Sequence, residues 1–201
     1  MKLFPSLTLP LLASSQSLGE GTTFTMSAAG RGCLDKSSVS ASMSRDGQRM
    51  TVTLHELNAY TGPGYAVSDK TQNCGLHLVF QPPNNNTQFA LVENTYHGYT
   101  RLEPNITLAL YSTFYPSYDA SASTTTSISI EGSGAGQVFT RSVVVPESQY
   151  KWSRCGGPQG IWNLNERASL TSRVRDAEGR YGAEEGGPLT RQVRFIYREC
   201  S

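Results

Sequence analysis

Charge is scarce in this chain of 201 residues: Asp, Glu, Lys and Arg make up 16% of it, against about 25% in an ordinary soluble domain. The two signs nearly cancel, 17 Lys and Arg against 16 Asp and Glu for a formal charge of +1, so no whole-molecule field draws the chain to nucleic acid. So low a charge also argues against a disordered, self-repelling tail. Long apolar runs are missing too, and nothing reaches the roughly 18 residues of a membrane-spanning helix. There is no helical stripe of about a dozen residues, which removes the crossovers that parallel α/β folds require. No C-x-x-C pair is present, so zinc-ribbon and thioredoxin chemistry lack their spacing. A phosphate loop is absent as well, because no Gly-rich turn leads into Lys-Ser/Thr and a helix.

At the start, Lys2 precedes the run Leu3 to Leu12, broken by Pro5 and Pro10, and the small residues Ala13, Ser14 and Ser15 follow. That order is the order of a secretory signal peptide over 1–15, with cleavage after Ser15. Residues 16–30 read as a loose arm and 31–201 as one domain. Cys33, Cys74, Cys155 and Cys200 suit disulfides in an exported protein. Four cysteines allow three connectivities; pairing Cys33 with Cys74 and Cys155 with Cys200 closes loops of roughly 40 to 46 residues within each half, each stabilising by about 4 kcal/mol. The sequons at Asn85 and Asn105 are candidate glycosylation sites in turn-like sequence.

Apolar residues then alternate with polar ones. Val39, Ala41 and Met43 form one set, Met50, Val52 and Leu54 the next, and Asp46-Gly47 between them is a tight-turn signal. Leu76, Leu78 and Phe80 continue the pattern, and Phe89 and Leu91 resume it after a Pro/Asn break. Further strands are expected over 106–115, 124–130, 137–145, 168–175 and 189–200, with an exposed loop over 176–188. About nine or ten short strands with turns between them indicate an antiparallel β-sandwich, with a closed barrel as the alternative.

The residues that carry chemistry in other folds are dispersed here. His55, His77 and His97 share no metal-ligand spacing, and alternation turns His55 and His77 outward. Glu56, Asp69, Glu93, Asp119 and Glu131 supply carboxylates without a spacing that selects an acid/base pair. Gly132-Ser133-Gly134-Ala135-Gly136 lacks the strand-to-helix setting of a nucleophile elbow. No catalytic, metal-ligating or cofactor-binding residue is assigned. Two surface features stand out. Tyr96, His97 and Tyr99, with Tyr111, Phe114, Tyr115 and Tyr118 downstream, gather rings that either pack the core or stack on sugars. Arg173, Arg175, Arg194 and Arg198 oppose the apolar phase of their strands and would form a stripe for an anionic polymer if those strands pair.

The spacing of Gly30-Arg31-Gly32-Cys33, Asn73-Cys74, Tyr96-His97-Gly98-Tyr99, Trp152-Ser153-Arg154-Cys155-Gly156, Asn163-Leu164-Asn165 and Arg198-Glu199-Cys200 resembles the fungal secreted proteins of the domain of unknown function 4360 family. His97 and Tyr197 stand where that pattern has Arg and Trp. The resemblance implies an extracellular β-rich domain with a disulfide frame and no established activity. The expectation is a secreted, monomeric, non-catalytic β-sandwich that binds cell-wall or matrix polysaccharide, without cofactor, nucleic acid or membrane span. The alternatives are an extracellular enzyme, either a hydrolase or one acting on a secreted small metabolite, and an effector that contacts a host or competitor protein.

Overall fold

The structure, a computed structural model, describes residues 19–35, 37–82, 86–156, 159–183 and 187–200. The expected signal peptide and the sequon residue Asn85 lie outside them. Twelve strands follow in order among the described residues: β1 (Thr23–Ala29), β2 (Val39–Met43), β3 (Arg49–Leu54), β4 (Ala59–Thr61), β5 (Thr71–Gln81), β6 (Thr87–Leu102), β7 (Ile106–Pro116), β8 (Thr124–Glu131), β9 (Gly136–Val144), β10 (Ile161–Ser172), β11 (Gly179–Gly182) and β12 (Leu189–Glu199). They form two antiparallel sheets, a five-stranded one ordered β1-β5-β10-β7-β8 and a seven-stranded one ordered β2-β3-β12-β6-β11-β4, with β9 on the other edge of β6. This is the sandwich that the two-residue periodicity predicts.

Alternation decides which side chains meet between the sheets. Leu76, Leu78 and Phe80 of β5 and Trp162, Leu164 and Leu170 of β10 face Phe89, Leu91, Val193 and Phe195 of the other sheet, all buried. Phe80, Phe89, Phe114, Trp162 and Phe195 interlock there with ring centroids 4.7 to 6.2 Å apart, in the tilted, edge-on and offset arrangements that aromatic quadrupoles favour. Two disulfides tie the frame, Cys33 to Cys74 and Cys155 to Cys200, the pairing expected from loop length.

Among the described residues, one charged pair crosses this core. Arg191 of β12 donates from Nε to Oε2 of Glu166 of β10 at 2.8 Å, and both side chains are fully buried. Ser112 donates to the other Glu166 oxygen at 2.6 Å, and Arg191 Nη2 donates to the Tyr181 hydroxyl at 3.0 Å. The guanidinium lies 4.6 Å from the Tyr96 ring centroid, and Tyr96 donates to the Thr126 carbonyl at 2.8 Å.

Three expectations are corrected here. The arm over 16–30 is partly strand: Thr23–Ala29 pairs with β5, and Phe24, Met26 and Ala28 pack against the core. The strand expected over 168–175 begins at Ile161 and ends at Ser172. Glu166 occupies an inward position, so the apolar alternation is interrupted where the pattern would otherwise have extended back. The loop expected over 176–188 contains β11, a short strand wedged between β4 and β6.

The hairpin joining β2 to β3 shows how local chemistry sets register. Gly47 has φ +68°, and a Cβ there would collide with the Gly19 carbonyl oxygen. The Asp46 carboxylate accepts from the Ser44 hydroxyl and from the Gln48 N–H, which hold it below the usual carboxylate range. Asp35 and Asp119 are lowered in the same way, by Ser37 and Ser121. A folded value below the unfolded one, about 3.9, means that stability is in place above that pH and fades as pH falls through the folded value. Between about pH 5 and pH 2 the thermal midpoint of Asp46→Asn should therefore fall less than that of the parent. An equal fall in the two proteins would contradict the assignment.

Candidate functional site

Strand register places side chains in rows across the outer face of the five-stranded sheet. Ala29, Gly75, Asn165 and Thr113 lie opposite one another on β1, β5, β10 and β7. Two residues along, Asn73, Arg167 and Tyr111 form a parallel row. On the other side, His77, Asn163 and Tyr115 form a third. The first row is small at both ends and the flanking rows are larger, so a groove of about 480 Å³ opens over Gly75, bordered by Tyr111, Asn73, Asn165 and Arg167. With neighbouring strands about 4.8 Å apart, it spans roughly 14 Å of sheet.

Hydrogen bonds fix Asn165 in the groove and Asn163 in the row beside it. Asn165 donates from Nδ2 to the Tyr115 hydroxyl at 3.2 Å. Asn163 donates to the Ser117 hydroxyl at 2.8 Å, and its amide oxygen is 2.8 Å from His77 Nδ1. Tyr111 borders the groove and remains 40% exposed. Gly32 N–H donates to the Asn73 carbonyl at 2.9 Å, and the Cys33–Cys74 bridge anchors the same loop, so one end of the groove is fixed. Three segments that carry the family resemblance, at 30–33, 73–74 and 163–165, therefore meet here.

The positions singled out from sequence scatter instead. Tyr96 is buried and packs on Arg191, whereas His97 and Tyr99 lie on the outer face of the seven-stranded sheet. His97 Nδ1 is 2.9 Å from the Thr140 hydroxyl, and Tyr99 is only 6% exposed. The arginine stripe does not form, because β10 and β12 belong to different sheets. Arg173 and Arg175 follow the end of β10 and are exposed. Arg194 donates to Glu93 at 2.8 Å, and Arg198 lies 4.0 Å from the Trp152 ring centroid. The three histidines do not converge: His77 and His97 occupy opposite outer faces and His55 follows β3. Asn105 is exposed in the turn between β6 and β7 with φ +73°.

Asn73, Gly75, Asn165 and Arg167 were not singled out as ligand-binding side chains. Their signal, outward phase on long strands, becomes specific only once β5, β10 and β7 are known to be neighbours. A larger cleft of about 680 Å³ lies between edge strands β1 and β2, where Phe24, Met26 and Met43 are prominent. Thr22, Thr23, Ser42 and Ser44 line it as well.

A family model described as domain of unknown function (DUF4360) matches residues 23–200. The chain is 30% identical over 150 residues to an uncharacterized secreted protein of Arthroderma benhamiae, an alignment covering 75% of this chain and 59% of the relative. The match thus spans about three-fifths of that protein's length. Among solved structures, TmCBM61 in complex with β-1,4-galactotriose is similar at 11% identity and a TM-score of 0.25, covering 90% of this chain and 91% of that one. A family 11 carbohydrate-binding module from Clostridium thermocellum, in complex with a mixed-linked β-1,3-1,4 tetrasaccharide, is similar at 8% identity and a TM-score of 0.25, covering 91% of each chain.

Proposed function

The chain belongs to the domain of unknown function family DUF4360, and from that premise we propose that it is a secreted, non-catalytic binder of cell-wall or matrix glycan that uses the groove on its five-stranded sheet. Its two disulfides fit the oxidising space outside the cell. The observation that carries the reading is the exposed Tyr111 ring beside Asn73, Asn165 and Arg167 above a floor opened by Gly75. Sugars present apolar ring faces, which stack on aromatics, and hydroxyls that both donate and accept, which planar amides and guanidinium groups can match. Asn165, fixed before binding by its bond to the Tyr115 hydroxyl, loses little entropy on engagement. Among the described residues that border the groove, the one carboxylate, Glu166, is turned inward onto Ser112 and Arg191. The described lining therefore lacks the two carboxyl groups that usually flank a scissile glycosidic bond.

Retention on insoluble chitin, β-glucan and an acidic polysaccharide tests the proposal. The protein should be held by at least one of them, and Tyr111→Ala should weaken that retention by about tenfold or more. Gly75→Val is the blocking variant: its Cβ would stand 3.2 Å from Asn165 Oδ1 and 3.5 Å from the Ala29 carbonyl oxygen. A β-branched residue suits the strand, so retention should be lost while cooperative thermal unfolding persists. Passage through all three matrices, or wild-type retention by both folded variants, would overturn the proposal.

A further inference from the structure

One wall of the groove, formed by Asn73, Arg167 and Tyr111, carries a charge that nothing beside it cancels. Arg167 is exposed on β10, with Asn73 of β5 and Tyr111 of β7 directly opposite it on either side. Among the described residues its guanidinium has no hydrogen bond and no ion pair. The carboxylate in the groove's lining, Glu166, lies beneath the sheet at 2.8 Å from Arg191, so that charge is already matched. On the outward positions of the five strands, among the described residues, the one carboxylate is Glu131 of edge strand β8, which accepts from the Thr107 hydroxyl at 2.8 Å. Four residues along β7 and two strands across separate it from Arg167, roughly 16 Å at ordinary strand spacings. That is beyond the Debye length of about 10 Å at 0.1 M salt. His77, on the far wall, is held to Asn163.

We propose that Arg167 makes the groove selective for a sugar that carries a carboxylate, a uronate residue of an acidic polysaccharide, which rests on the groove reading and adds a ligand class to it. A guanidinium fork presents two parallel N–H donors to the two oxygens of a carboxylate, a match that the hydroxyls of a neutral sugar do not complete. Directly opposed residues in a sheet hold their Cβ atoms about 5 Å apart. A sugar whose carboxylate sits on Arg167 therefore has the Tyr111 ring and the Asn73 amide within reach of its ring and hydroxyls.

Calorimetric titration of the full protein with oligogalacturonate, its methyl ester and a neutral β-glucan oligosaccharide tests the selection. Oligogalacturonate should bind about tenfold or more tightly than the methyl ester, and more weakly as salt rises. Arg167→Gln keeps a planar amide at an exposed strand position and removes the charge. Unfolding should stay cooperative, while the ratio of acid to ester affinity falls to about one and the salt dependence flattens. Arg141→Gln removes the same charge from β9 of the other sheet and should leave the acid preference intact, which separates a seated carboxylate from attraction by net charge. Equal affinity for acid and ester in the parent, a preference that survives Arg167→Gln, or no binding of any probe would overturn the selection. The groove reading fails by a different result: acid-probe binding unweakened in Gly75→Val would place the ligand elsewhere, whereas neutral or esterified probe bound by the parent and lost in Gly75→Val keeps the groove without the carboxylate preference.

Discussion

Arg191→Met should destabilise the fold by roughly 3 to 5 kcal/mol, because it leaves Glu166 buried without its counter-ion. Burial already pushes the Glu166 carboxyl above its ordinary range, and Arg191 and Ser112 pull it back. Without Arg191 the folded value rises further. A raised folded value favours the protonated folded state, so stability is kept below the unfolded value of about 4.3 and lost as pH rises. Urea unfolding should therefore show a greater loss at about pH 8 than at about pH 5. Replacing both partners, as Glu166→Leu with Arg191→Met, should recover much of the loss, since no unpaired charge then remains. A single variant within about 1 kcal/mol of the parent at both pH values would contradict this account of the core.

Removing the Cys33–Cys74 bridge, by Cys33→Ala with Cys74→Ala, should cost about 4 kcal/mol. The bond closes a sequence separation of 41 residues between the loop after β1 and strand β5, with Cα atoms 5.3 Å apart and both cysteines buried. In the chain-entropy model the loss comes from releasing the unfolded ensemble. For a protein of this size it should lower the thermal midpoint by roughly 8 to 16 °C. The Cys155–Cys200 bond spans 45 residues at the far end of β12 and carries a similar entropic share, so full reduction should exceed either single loss. An unchanged midpoint after removal of the Cys33–Cys74 pair would show that packing alone fixes this end of the sandwich.

Clean alternation made several strands legible, as in Met50, Val52 and Leu54 or Leu76, Leu78 and Phe80. Alternation failed at β10 because a buried Glu166 looks like a surface residue in one dimension. At β1 the alternation is present, Phe24, Met26 and Ala28 separated by Thr25 and Ser27, but its place between the expected cleavage site and the first cysteine made it look like an arm. The aromatic cluster was visible as residue types, but adjacent Tyr96 and His97 must point to opposite faces, and only the topology shows Tyr96 inside. Tyr111 and Tyr115 were among those rings, yet their partners Asn73 and Asn165 are remote in sequence. Strand order, which local pattern does not encode, separates an arginine stripe from two unrelated pairs of arginines.

Amide chemical-shift mapping tests the glycan-binding claim most directly, with a soluble oligosaccharide cut from whichever insoluble polymer retains the protein. The account predicts saturable shifts concentrated at Asn73, Gly75, Thr113, Asn165 and Arg167, all on one face of the five-stranded sheet. Saturable shifts confined to the cleft between β1 and β2, with these five amides unmoved, would contradict it.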